Sequence, residues 1–514
     1  MASLVMQSVG LAIISCIFYL TLRSYTIRRR KSLPPGPSGL PFLGNSLDIP
    51  KSQEWLAFIE MSRKYDSDII SLNLAGDIVI VLNSLRAVDA LLEDKSAIYS
   101  DRPPFTMLND LVGYHWNLGF MRYGPRWKEH RKVLLQQFQP SAVLLHRPVE
   151  LEAARVLLQR LLESPAKYER HFRHMAGMVI LSTAYGINVQ PEDDPYVDIS
   201  EKAMVGLAAT VNRGSYLVDS LPFLKYVPDF FPGAGFKKQA REWFKVVDAM
   251  PNVPFEFVKK ARVSTYGDGV ADGIARPSIA SRVLDQIEED PGDDPEDQKL
   301  VLRNILGLVT GADTTVSSLG SFILAMTLYP DVQKKAQAAV DAVVGHDRLP
   351  DFQDNIPYLD AVVREVLRWR PVLPLDDIYK GFHIPAGAVV LGNTCRRYQG
   401  KYGRAIFHDE ATYGPRTELF IPERWLTKDG ELNINMRDST SAFGFGRRIC
   451  PVRCLLSSVA ELTPGRDMAQ WSIWICAASI LAAFDIRKSV DENGVPIEPS
   501  EEYTSGAVWW VLTS

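Results

Sequence analysis

The 514-residue chain has a formal net charge of −4, with 46% hydrophobic and 23% charged residues. That balance excludes a disordered chain and offers no concentrated basic surface for a nucleic-acid partner. Five cysteines, an odd and sparse set, exclude a disulfide framework and point to a reducing compartment for the body of the protein.

No charged side chain precedes Arg23, and Leu4 to Leu22 is apolar except for Gln7, Ser8, Ser15 and Thr21. As a helix rising ~1.5 Å per residue, this run would reach about 28 Å, close to one bilayer core. A cleaved signal peptide would carry its positive charge ahead of the apolar run. Here Arg23, Arg28, Arg29, Arg30 and Lys31 follow it. Residues 1–22 are therefore predicted to be an uncleaved transmembrane anchor with the body on the cytosolic side. A basic, proline-rich linker follows over residues 23–50. Its Leu33-Pro-Pro-Gly-Pro-Ser-Gly-Leu-Pro41 stretch fits a stiff spacer and a plain disordered linker equally well.

The body, residues 51–514, reads as mainly α with minor β and no clear internal boundary. Helical apolar spacing marks Glu150 to Leu162, Lys299 to Tyr329 and Asp331 to Val344. Strand-like runs are short: Asp68 to Leu74, Asp77 to Leu82 and Ala388 to Leu391. Asp268 to Pro277 and Glu288 to Asp297, rich in Gly, Pro and Asp, read as loops.

Five stretches carry residues suited to chemistry. In Trp127-Lys-Glu-His-Arg131 the tryptophan and arginine share one helix face; taken alone they describe a surface helix with one buried aromatic. Gly311-Ala-Asp-Thr-Thr315 places an acid and two hydroxyls inside an apolar helix, which is costly unless they are paired or wet. It fits a helix kink as well as a proton path. Glu365-Val-Leu-Arg368 sets opposite charges three apart on one face, and Pro422-Glu-Arg-Trp425 follows. Last comes Phe443-Gly-Phe-Gly-Arg-Arg-Ile-Cys450. Its glycines allow close backbone approach to a flat ligand, and its arginines favour thiolate, the form that binds metal. An inert buried cysteine beside a glycine loop is the plainer alternative. Cys450 and Cys454 do not make a zinc site, because no second pair exists.

Together these stretches resemble the cytochrome P450 family. Phe443, Gly446, Arg448 and Cys450 match its haem-binding loop, F-x-x-G-x-R-x-C, and the other motifs follow in family order over nearly the whole chain. The resemblance implies the cytochrome P450 fold behind one N-terminal transmembrane helix. It implies haem b, with Cys450 as the axial thiolate on the iron and Trp127, Arg131 and Arg448 holding the propionates. Asp313 and Thr314 would deliver protons during dioxygen activation, although Thr310 stands where the family has a small residue. Glu365, Arg368 and Arg424 would form a structural charge network.

The implied reaction inserts one oxygen atom from O2 into a hydrophobic small molecule, a secondary metabolite or xenobiotic, polycyclic aromatics among them. Electrons would come from an NADPH-dependent flavoprotein reductase at the endoplasmic reticulum membrane, since the chain itself has no flavin or nicotinamide fingerprint. Phe105, Met107, Leu108 and Phe120 fall where the family has a pocket-lining loop, and Leu217 to Phe231 supplies an aromatic, membrane-facing second. A non-catalytic or impaired haem-binding protein of the same fold is the alternative; the Asp313–Thr314 pair favours the enzyme.

The pattern breaks after Cys450. The family continues C-x-G into a helix, whereas this chain reads Cys450-Pro-Val452, and the continuation Gly465-Arg-Asp-Met-Ala-Gln comes only later. Val452 to Pro464 is read as an insertion or a misassigned splice site. The Leu375–Asp376 junction is short against related fungal sequences, and Cys395 to Arg404 looks inserted.

Overall fold

The computed structural model describes residues 33–40, 43–50, 54–74, 76–138, 142, 144–211, 215–266, 276–309, 313–370, 389–392, 407, 409–433, 435–437, 444, 446–450 and 468–499. The anchor expected over residues 1–22, together with Phe443, Val452 to Pro464, the Leu375–Asp376 junction and Cys395 to Arg404, lies outside them. The chain divides into two compact units. One gathers residues 1–103, 373–418 and 445–447; the other gathers 104–372, 419–444 and 448–514.

The first unit is built on a helix, α1 (Glu54–Lys64), and a three-stranded sheet. β1 (Ile69–Leu74) and β2 (Asp77–Leu82) form an antiparallel hairpin with Ile69 opposite Leu82. β3 (Val389–Gly392) pairs parallel to β2, Val79 opposite Val389. β2 is the middle strand and is buried along nearly its whole length, which is why its sequence is a continuous apolar run rather than an alternating one. Phe58, Ile70, Leu72, Val79, Val81 and Val389 make the core of this unit.

The second unit is helical. Its long helices are α2 (Pro125–Gln137), α3 (Arg147–Glu163), α4 (Tyr168–Tyr185), α5 (Pro195–Thr210), α6 (Gly235–Tyr266), α7 (Ile279–Glu289), α8 (Pro295–Val309), α9 (Asp313–Leu328), α10 (Pro330–Val344), α11 (Pro357–Trp369) and α12 (Met468–Ala483). α12 is buried on every side from Trp471 to Leu481, as a helix without a polar face must be. It packs on α3, α9, α10 and α11.

One expectation is revised. The loop expected over Glu288 to Asp297 is shorter, because α7 runs to Glu289 and α8 begins at Pro295. The Asp294 side chain accepts the Asp297 amide at 3.0 Å and proline opens the first turn, so the acidic sequence is a helix start rather than a loop. The helix expected over Lys299 to Tyr329 is present as α8 and α9, and residues 310–312 between them lie outside the described residues. By composition Pro295–Leu328 is apolar enough to cross a membrane. Leu302, Ile305, Leu306, Leu319 and Phe322 are instead buried in the protein core.

Candidate active site

α2 supplies the first part of the site. Trp127 is buried, and its ring packs on Tyr123 at 5.1 Å. Two guanidinium groups lie near the same ring, Arg448 at 4.6 Å and Arg131 at 5.3 Å from its centre. Arg448 donates to the carbonyls of Leu118 at 3.1 Å and Met121 at 2.8 Å. Arg131 donates to the carbonyl of Ile449 at 2.8 Å, the residue that precedes Cys450. Burial holds Arg131 below its ordinary pKa, while the charge of Cys450 pulls the other way. Cys450 is half-buried, and the cation beside it favours thiolate over thiol.

This cluster fits the acidic groups of a haem. The Trp127 indole N–H is buried and has no hydrogen-bond partner, a state that costs free energy unless an acceptor is supplied. Among the described residues Arg131 forms no ion pair with a carboxylate, and Cys450 is the charge acting on it. A propionate placed here would find the indole N–H and two guanidinium forks, the arrangement suited to a carboxylate. In the other unit Gly446 has φ +53, and a side chain there would meet the carbonyl oxygen of Leu92 at 2.1 Å. Only glycine can take that position.

α9 begins at Asp313, whose side chain lies outside the described residues. Thr314 is exposed, whereas Val316 to Leu319 are buried. Its carbonyl accepts the Ser318 hydroxyl at 2.9 Å. No described contact joins Thr314 to the Trp127–Arg131–Arg448 cluster.

Glu365, Arg368 and Arg424 come together apart from that cluster. Glu365 and Arg368 are both fully buried. The Glu365 carboxylate also accepts Arg424 Nε at 3.1 Å, the Ile421 amide at 2.9 Å and the Trp425 indole at 2.9 Å. The sequence reading gave no role to Trp425, nor to His130 inside the Trp127–Arg131 stretch. His130 is completely buried and bonded to Asn304. A histidine in an otherwise polar turn beside the arginine was the available signal.

The family model described as Cytochrome P450 matches residues 34–505. The chain belongs to the cytochrome P450 family. It is 39% identical to a tryptamine 4-monooxygenase of Psilocybe cyanescens over 97% of this chain and 94% of that one. It is 42% identical to the cytochrome P450 monooxygenase eriA of Hericium erinaceus, over 93% of this chain and 86% of that one. A cytochrome P450 monooxygenase of Armillaria gallica is 39% identical over 98% and 95% of the two chains. This cytochrome P450 is therefore an oxidoreductase of the monooxygenase type, mainly helical with a small sheet. Its cofactor is haem, whose iron is held by a cysteine thiolate.

Proposed function

We propose that this P450 inserts one oxygen atom from O2 into a hydrophobic, aromatic small molecule of secondary or xenobiotic metabolism, with Cys450 as the iron ligand. The convergence of Trp127, Arg131 and Arg448 beside Ile449 carries the assignment. When bound, a thiolate-ligated haem supplies reductive activation of dioxygen, because the thiolate pushes electron density toward the iron. Arg131, Arg448 and the Trp127 indole would hold the propionates. Phe443 and Gly446 belong to the cysteine loop, where the missing side chain of Gly446 lets the backbone close up. Thr314 offers an open hydroxyl at the start of a buried helix, and with Asp313 it passes protons from solvent inward. Glu365, Arg368 and Arg424 hold α11 to the segment after Leu419.

Met107 and Leu108 are buried in an apolar cluster with Tyr114, Trp116, Leu207 and Val247, and Phe105 and Phe120 pack on it. The apolar character of these residues supports a hydrophobic substrate. The relative named for tryptamine makes an indole-sized aromatic a suitable first probe. Leu217, Phe223, Tyr226, Phe230 and Phe231 are exposed, which supports a membrane surface as a partner alongside the anchor at residues 1–22. With the basic residues Arg23 and Arg28 to Lys31 after the apolar run, this supports a body, residues 51–514, on the cytosolic side of the endoplasmic reticulum membrane. Electrons reach it from an NADPH-dependent flavoprotein reductase.

The absorption spectrum of the reduced, carbon-monoxide-bound protein tests the ligand. Cys450→Ala should abolish the red-shifted thiolate band, and Cys454→Ala should leave it. Loss of the band in Cys454→Ala alone would show the ligand to be the other cysteine.

A further inference from the structure

We propose that His130 is a positioning residue for the cofactor, acting on Arg131 through its hydrogen bond to Asn304. This rests on the reading of Arg131 as a propionate partner. His130 has no exposed surface, so both ring nitrogens need partners inside the protein. Nδ1 lies 2.9 Å from the Arg126 carbonyl. A carbonyl only accepts, so Nδ1 carries the hydrogen and donates it. Nε2 is then an acceptor, and Asn304 Nδ2 donates to it at 3.1 Å.

The asparagine is fixed in turn. Its Oδ1 accepts Arg303 Nη2 at 3.1 Å, and Arg303 Nη1 donates to Asn252 Oδ1 at 2.9 Å. Reversing the Asn304 amide would set acceptor against acceptor at His130 and donor against donor at Arg303. Donation therefore runs outward from Arg303 on α8, to Asn252 on α6 in one direction and through Asn304 to His130 on α2 in the other. Burial also keeps the His130 imidazole below its ordinary pKa, in the neutral form this pattern requires.

The bond sits where α2 must not rotate. His130 precedes Arg131, and Trp127 lies three residues back on the same helix face. A small turn of α2 about its axis would draw the Arg131 guanidinium off the Ile449 carbonyl and away from a propionate. Besides apolar packing, the other polar link between α2 and α8 among the described residues is the Arg126–Asp297 ion pair at 2.5 Å, whose side chains are 40% and 35% exposed. Pairs of that kind contribute little. The buried imidazole–amide bond therefore sets the register.

The test follows the transfer of haem from the full-length holoenzyme to apomyoglobin. It uses His130→Phe, Asn304→Leu, Arg131→Ala and each of the first two combined with the third. His130→Phe and Asn304→Leu should each speed haem loss about three- to tenfold, the factor one buried hydrogen bond is worth. Neither should speed it further in the Arg131→Ala background. His130→Gln, which can donate to the carbonyl and accept from Asn304, should restore the wild-type rate. Should His130→Phe fail to fold, Asn304→Leu and His130→Gln decide the matter. Equal acceleration with and without Arg131 would show a purely structural role and overturn the proposal, as would no acceleration at all. If Arg131→Ala alone leaves haem loss unchanged, the propionate reading has failed and the proposal fails with it, a result distinct from an inert Asn304→Leu.

Discussion

Arg368 grips Glu365 at two points, Nε to Oε2 at 2.8 Å and Nη2 to Oε1 at 2.7 Å, with neither side chain exposed. The same carboxylate carries bonds from Arg424, Ile421 and Trp425. Removing it would take the shared carboxylate away from two buried guanidinium groups. Glu365→Ala is predicted to lose about 3–5 kcal/mol of stability, read as a shifted urea midpoint of the holoenzyme. A loss under about 1 kcal/mol, the range of an exposed pair, would show that water or another anion takes its place.

Thr314→Ala tests proton delivery. The hydroxyl is exposed and its loss opens no cavity in the core, so haem content and substrate-induced spectral change should persist. Hydrogen peroxide per NADPH consumed should rise several-fold while product falls. Unchanged coupling would remove Thr314 from the reaction.

Much of this fold is legible in local pattern. The apolar run of β2 gives its bounds, Asp77–Leu82, directly. α3 and α10 follow from apolar spacing, extended at the start by Arg147–Pro148 and by Pro330 because proline suits a helix's first turn. What local pattern cannot show is long-range pairing of side chains. His130 meets Asn304 across 174 positions, and Trp425 meets Glu365 across 60. In the linear sequence each is one polar or aromatic residue among many. The acidic loop misled because Asp, Gly and Pro mark turns and helix starts alike, and only the Asp294 cap separates the two.

Acid should destabilise the protein through the buried His130 and His146 and the partly buried His174. Burial pushes His146 from 6.5 down to about 4, and His130 and His174 are lowered for the same reason. The unfolded chain therefore takes up these protons first as pH falls. The stability they contribute is complete above about pH 6.5 and drains away toward pH 4. His146 alone accounts for roughly 3 kcal/mol. His146→Gln should flatten the stability profile between those values, as followed by urea unfolding. An unchanged slope would mean that His146 is open to water.

Deleting residues 1–22 should shift much of the protein from the membrane pellet to the supernatant and leave the carbon-monoxide spectrum intact. Some should remain bound through the apolar surface around Phe223 and Phe230, the latter 87% exposed. Replacing both with serine in the truncated chain should release that remainder. Loss of haem on truncation would contradict an anchor that acts independently of the body.

The last prediction concerns Val452 to Pro464. Without these 13 residues the sequence would run Cys450-Pro451 directly into Gly465-Arg-Asp-Met-Ala-Gln470, the family's own continuation. α12 starts at Met468 and is buried through most of its length, so the helix that should follow the cysteine loop is still formed. Loop closure cost grows only slowly with length, and 13 additional residues are tolerable to the fold. The sulfur is more sensitive, because groups around a metal ligand set its orientation and basicity. Excising Val452 to Pro464 should therefore raise haem bound per protein and turnover with little change in the unfolding midpoint. Complementary DNA read across the codons for Cys450 and Gly465 should lack the stretch. Transcripts that all retain it, together with equal haem content in the full-length and excised proteins, would make the segment a genuine part of this enzyme.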